Sequence, residues 1–402
     1  MAKHTHAAKR APVGSDTDRA LVNRVFSQLR IPGSQNLAQW RSRCLSELDS
    51  ELLARWDALR DQSSAEFYDL SHRDLPTSML LSAGLRSDLG RQELMWLLSR
   101  LRRDTAGRES PLIAEVGCGS GVAAAIVSLA LNVTVVAIDE SPAAVSVTTA
   151  VARVLGAQVD AHVGRAEDLT NILDGSRADA IFLFSTMRYV QPHKHGHESK
   201  YYSWSQHLQA ISEEAKPTVE CAAMLEALDP DGGLYFSDVE CIDRTAELEG
   251  CVAPSGRHLA LADYKHLSGH VVGREETHGA FACTPDASAP TGLQLFERFA
   301  GVAPQVRVGT RLTGIAAERA RMSLDGLELI RAVELTFPGY SYPRRSELSR
   351  GPGYVLTYRA EQSGLRELSA FPTRELARIL AEYDEPVPGV CEKQLGVGAE
   401  AW

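Results

Sequence analysis

Residues 111–139 read PLIAEVGCGSGVAAAIVSLALNVTVVAID, and this stretch decides the fold. Residues 112–116 form a short, mostly apolar run that leads into the turn Gly117-Cys118-Gly119-Ser120-Gly121. Residues 122–131 are small or apolar with a helical look, Ala123, Ala124, Ala125 and Ile126 among them. Asn132 breaks that helix, and the β-branched run 133–138 predicts an interior parallel strand ending in Asp139. Strand, turn, helix and strand within about thirty residues make a βαβ unit, whose crossover is right-handed. Ligands of such units lie outside the carboxyl ends of the strands, where the glycine turn falls.

Glycines at alternate positions let the backbone pass close to a ligand, because no Cβ intervenes. Asp139 is placed to accept hydrogen bonds from a ribose diol, which any adenosine cofactor would satisfy. The dinucleotide fingerprint G-x-G-x-x-G, however, needs a glycine where this chain has Val122. Glu115, two residues before the first glycine, would be unwelcome beside a pyrophosphate but suits a ligand with an amino group and a sulfonium. On Glu115, Gly117, Gly119 and Gly121 the segment resembles the first motif, acid-x-Gly-x-Gly-x-Gly, of the class I S-adenosylmethionine-dependent methyltransferases. The resemblance implies that the loop 117–121, with Cys118, wraps the methionine end of S-adenosyl-L-methionine. It also implies that Asp139, with Glu140 beside it, holds the ribose, and that S-adenosyl-L-homocysteine is the product. The other reading is a glycine turn serving a different ligand, or none.

The fold implied is α/β: a mostly parallel seven-stranded Rossmann-like methyltransferase sheet with helices on both faces, preceded by an all-helical N-terminal region. Residues 1–15 read as a disordered tail, basic but without the apolar core of a secretory signal. Residues 16–108 read as a helical cap, with apolar stripes such as Leu21, Val22, Val25, Phe26 and Leu29. A Tyr-Asp pair, Tyr68-Asp69, lies there and is similar to an element that covers cofactor or substrate in several methyltransferases; it also reads as local structure in a helix connection. Residues 109–361 read as the cofactor domain, with a lid or insertion near 238–305 and helical stretches near 258–267 and 292–300. A helix is expected from Ser141-Pro142 to about Leu155, a third strand at 158–163 and a fourth at 178–184. A helical segment bent at Pro217 spans 202–228, and a turn at 229–233 precedes a fifth strand from Leu234. Strands at 327–337 and 354–359 are expected to supply the antiparallel end of the sheet, and 362–402 is a C-terminal extension.

After the third strand the family often has an acid directly after the glycine, and this chain has Arg165 after Gly164. The adenine contact is therefore expected from Glu167, Asp168 or the backbone of Ala166 and Glu167. The end of the fourth strand, Phe184-Ser185, faces the transferable methyl in this architecture. Beyond it, Tyr189, His193 and His195 are the candidate catalytic groups, since imidazoles titrate near neutral pH. The alternation of His193, His195 and His197 also reads as a metal set or as a plain polar loop, and no metal is assigned.

The 402 residues carry a formal charge of −10, against a broad nucleic-acid surface. No apolar run is long enough to span a bilayer. Seven cysteines without C-x-x-C spacing suggest a reducing cytoplasm. The expected activity is methyl transfer to an oxygen or nitrogen of a small-molecule or peptide-derived acceptor, with a homodimer left open. Aminocarboxypropyl transfer to an amine is one alternative, and an inactive cofactor-binding scaffold is another.

Overall fold

The computed structural model describes residues 16–33, 36–59, 65–184, 208–209, 211–213, 215–239, 242–271, 274–300, 303–324, 326–336, 344–361, 366–384 and 390–395. The residues outside these include Ser185, Tyr189, His193 and His195. The chain divides into two compact units, one of residues 1–191 with 216–289, the other of residues 192–215 with 290–402.

In the first unit the described residues begin with the α-helices α1 (Asp16–Gln28), α2 (Leu37–Glu47), α3 (Ser50–Leu59), α4 (Ala65–Ser71), α5 (Leu75–Leu81) and α6 (Asp88–Asp104). Then β1 (Ile113–Val116), α7 (Val122–Leu131), β2 (Val135–Asp139), α8 (Pro142–Leu155) and β3 (Val159–Val163) alternate as their sequence patterns require. The short helix α9 (Leu169–Ile172), β4 (Ala178–Leu183), α10 (Val219–Ala227) and β5 (Leu228–Val239) follow. Helix α11 (Ile242–Val252) then leads to β6 (His258–Leu259), β7 (Lys265–Val271) and β8 (Arg274–Thr284).

Local chemistry sets these boundaries. Asn132 ends α7 at φ 56°, a left-handed position that asparagine tolerates. The hydroxyl of Ser141 accepts from the Ala144 amide at 3.2 Å and Pro142 occupies the first turn, so α8 starts there. Gly156 closes that helix at φ 67°. Pro217 splits the expected 202–228 helix rather than bending it. Residues 215–218 are not helical, and the Thr218 hydroxyl caps α10 by accepting from the Cys221 amide at 3.1 Å.

The strands run in the order β3-β2-β1-β4-β5-β8-β6, with β7 paired to β8. The first five are parallel, and β8 is antiparallel to β5. The order reverses between β1 and β4, and the carboxyl ends of the strands at that reversal are where ligands bind in open α/β sheets. The antiparallel end thus comes from 274–284, not from 327–337 and 354–359 as the pattern suggests. Residues 258–267, rich in the helix formers Ala and Leu, form no α-helix: 258–259 and 265–267 pair with β8 as strand, and a 3-10 turn at Leu261–Asp263 joins them. The expected turn at 229–233 is a bulge inside β5, where Ala178 pairs with Leu228 and Ala180 with Gly233. Valines and leucines of α1 and α6 join α7 and the sheet in one buried cluster, so the N-terminal helices share the core of the sheet.

The second unit is built on β9 (Arg311–Thr313), β10 (Glu328–Thr336), β11 (Arg344–Gly351), β12 (Tyr354–Glu361), β13 (Arg366–Pro372) and β14 (Cys391–Gln394). They form an antiparallel sheet in the order β14-β10-β11-β12-β13-β9. Among its described residues it carries the helices α12 (Gly292–Ala300), α13 (Gly314–Met322) and α14 (Leu376–Asp384). Ala317 and Ala320 of α13 pack on Leu356, Tyr358 and Leu368, while Ile379 of α14 packs on Leu348 and Val355. Alternate strand residues therefore cover both faces.

Under α13, Arg366 Nε donates to Glu318 Oε2 at 3.1 Å, and both side chains are below 5 % exposed. Removing one partner of such a pair leaves a buried charge less well compensated. Arg366→Met alone is expected to cost about 3–5 kcal/mol, whereas Arg366→Met with Glu318→Leu recovers most of the loss. Urea unfolding read by hydrogen exchange in residues 354–372 checks this, and a double variant no more stable than the single one would contradict it.

Candidate active site

The glycine turn is held by backbone bonds before any ligand is considered. Gly117 and Cys118 amides both donate to Ile138 O, at 2.8 and 3.0 Å, and the Gly121 amide closes the turn on Cys118 O at 2.8 Å. All three glycines have positive φ, 73°, 51° and 68°. The reasons for glycine differ along the turn. A Cβ on Gly121 would stand 2.5 Å from Thr148 Cγ2, so that glycine lets α7 and α8 approach each other. A Cβ on Gly119 would meet Tyr68 Oη at 3.3 Å and His72 Nε2 at 3.6 Å.

Asp139 is the hub, 3 % exposed at the end of β2. Its Oδ2 accepts from the Gly119 amide at 2.9 Å and from the Tyr68 hydroxyl at 2.8 Å. Its Oδ1 accepts from the Ser141 amide at 3.0 Å. Ser141 Oγ donates in turn to Asp69 Oδ1 at 2.5 Å, so both members of the Tyr-Asp pair reach the end of β2. Three of the roughly four acceptor sites of the Asp139 carboxylate are thus filled by protein. A ribose diol fits here by taking the fourth and displacing Tyr68 Oη from its own.

His72, which the sequence pattern did not single out, lies one helical turn after Tyr68 with ring centroids 4.4 Å apart. Its Nδ1 donates to Tyr68 O at 2.9 Å, which leaves Nε2 as the acceptor, facing the glycine turn. Burial pushes this imidazole below its usual pKa, opposed by the Tyr68 carbonyl and the charges of Asp139 and Asp69. The only signal in the sequence was its i+4 spacing from Tyr68.

A cavity of about 210 Å³ opens at the strand ends, lined by 116–117 after β1, 138–140 after β2, 164–167 after β3, and Glu220 of α10. The candidates Gly117, Asp139, Glu140, Ala166 and Glu167 line it. Asp168 is not among the lining residues: its Oδ2 accepts from the Arg165 amide at 2.9 Å and caps its own turn. Glu140 leans on Arg165 at 3.5 Å in a largely exposed pair of little energetic weight. Glu115 is 1 % exposed and its Oε2 accepts from the Ala124 amide at 3.0 Å, so it anchors the start of α7 to β1. The Cys118 thiol, buried with Sγ 3.4 Å from Thr148 Oγ1, is pushed well up in pKa and is a packing group. Phe184 is buried in the core cluster, and Ser185, Tyr189, His193 and His195 lie outside the described residues.

Residues 113–199 match the family model described as a methyltransferase domain. The matched segment begins at β1 and contains the glycine turn, Asp139 and the strand-end loops that line the cavity. No curated protein matches the chain in sequence. Among solved structures it is similar to magnesium protoporphyrin IX methyltransferase from Synechocystis with bound S-adenosylhomocysteine, at 13% identity and TM-score 0.33, covering 49% of this chain and 84% of that one. It is similar also to the N-methyltransferase NodS from Bradyrhizobium japonicum, at 14% identity and TM-score 0.32, covering 49% and 97%. A third is ribosomal protein L11 methylase from Lactobacillus delbrueckii, at 17% identity and TM-score 0.30, covering 48% and 77%. Likeness at this level says nothing of the acceptor.

Burial raises the Glu115 pKa well above the usual carboxylate value, the Asp139 charge raises it further, and the Ala124 amide lowers it. With its folded pKa above the unfolded value of about 4.3, its contribution to stability is complete below that pH and is lost as pH rises. Glu115→Gln should therefore gain stability relative to the parent as pH climbs from 4.5 toward 8. Urea midpoints without cofactor test this, and a gap that shrinks with pH would contradict it.

Proposed function

We propose that the chain transfers a methyl group from S-adenosylmethionine to an oxygen or nitrogen of a small-molecule or peptide-derived acceptor. The observation that carries the cofactor half is the Asp139 carboxylate, oriented by Gly119 and Ser141 beside a cavity at the carboxyl ends of β1, β2 and β3. When bound, the cofactor supplies a methyl already activated on a sulfonium. What this chain must add is position, exclusion of water and acceptance of a proton where the nucleophile carries one. Asp139 accepts from the ribose hydroxyls, the turn 117–119 lays its backbone along the cofactor, and Tyr68 and His72 cover the turn from α4. His193, His195 and Tyr189 are the proposed groups on the acceptor side.

The preference for a small-molecule or peptide-derived acceptor over a nucleic acid draws support from the charge of −10 and from Ser185-Thr186-Met187-Arg188, which departs from the D/N-P-P-Y run often found after the fourth strand in DNA-type enzymes. The helices of 16–108 are proposed as the cap over the cofactor, since Tyr68 reaches Asp139 from among them. The cytoplasm is proposed from the free thiols Cys44, Cys118, Cys221, Cys251 and Cys283, all buried. Among the described residues no helix is long and apolar enough to cross a membrane.

Asp139→Asn is expected to weaken S-adenosylhomocysteine binding about 10- to 100-fold by calorimetry, the worth of a hydrogen bond to a charged acceptor. Circular dichroism confirms that the variant folds. Unchanged affinity would sink the assignment. In turnover, S-adenosylhomocysteine as product supports methyl transfer, methylthioadenosine would replace it with aminocarboxypropyl transfer, and binding without turnover of any acceptor would favour a scaffold.

A further inference from the structure

The cavity holds one side chain that the strand-end loops do not supply. Glu220 comes from the first turn of α10, which packs on the turn 166–168 and on α9. Its direction is fixed locally. Thr218 caps the helix through the Cys221 amide, and Cys221 and Met224 are fully buried, which leaves the half-buried Glu220 on the cavity side. Among the described residues Glu220 has neither a hydrogen-bond nor an ion-pair partner.

A purine with a 6-amino group brings two N–H donors into this cavity, and enclosed donors need acceptors. Asp139 is committed to the Gly119 and Ser141 amides and, on binding, to the ribose. Glu140 leans on Arg165. Asp168 is turned onto the Arg165 amide. Arg165 has donors only, so the position where the family often has an acid cannot accept from an amino group. Glu167 is mostly exposed, in a turn whose first backbone N–H groups suit ring nitrogens better. Among the described residues that line the cavity, that leaves Glu220 as the half-buried carboxylate with free acceptor capacity.

We propose that Glu220 of α10 reads the 6-amino group of the cofactor's purine, in place of an acid on the loop after β3. The inference rests on the S-adenosylmethionine reading of the site. It makes α10, a helix remote in sequence from the glycine turn, the element that selects adenine.

The test is calorimetry with S-adenosylhomocysteine and with S-inosylhomocysteine, whose 6-oxo group accepts where the amino group donates. The parent should bind the inosyl compound about 10- to 100-fold more weakly, since a carboxylate then faces an acceptor. In Glu220→Gln, whose amide can also donate, the two ligands should come within about threefold of each other. Glu167→Gln should keep the parent's ratio. A parent that binds S-adenosylhomocysteine, with Glu220→Gln retaining the parent's ratio or Glu167→Gln erasing it, overturns the assignment to Glu220 alone. A parent that binds neither ligand overturns the cofactor reading, and this inference with it.

Discussion

A buried carboxylate at the end of a central strand is the constraint on which the site depends. Asp139 is almost wholly removed from water, and a charge there is tolerable only when hydrogen bonds replace its hydration. The donors come from three separate places: the glycine turn through Gly119, the start of α8 through Ser141, and α4 through Tyr68. Satisfying one charge therefore ties together the loop that precedes it, the helix that follows it and the N-terminal helices. The same three bonds orient the carboxylate toward the cavity.

The glycine turn shows how one motif can serve several physical ends. Gly117 and Cys118 continue the pairing of β1 with β2 through Ile138 O, Gly119 makes room beneath Tyr68 and His72, and Gly121 makes room for Thr148. Glu115, by bonding to Ala124, holds α7 in the register that this packing needs. A motif that reads as a ligand loop is to that extent a junction between helices, and its rigidity is what presents a fixed backbone to a cofactor.

Much of the architecture was legible because it is encoded locally. The run from β1 to β3 follows from periodicity, the Ser141-Pro142 start and the glycine or asparagine stops, all of which act within a few residues. Strands near 327–337 and 354–359 were also legible as strands, yet not as members of a second sheet, since alternation identifies a face and not a partner. Residues 279–284 escaped notice for the opposite reason. Glycine, alanine and cysteine give little β signal, and pairing with β5, β6 and β7 makes them a strand.

The sequence by itself determined the glycine turn, the acid at the end of β2 and hence the class of cofactor proposed, because φ preferences and strand-turn-helix order are properties of neighbouring residues. Only the tertiary structure decided what surrounds them. Tyr68 meets Asp139 across 71 positions, Glu220 enters the cavity from a helix beyond β4, and β8 rather than a later strand is the antiparallel neighbour of β5, with β6 and β7 beyond it. These outcomes depend on which buried surfaces find each other at long range, and no local pattern carries that choice.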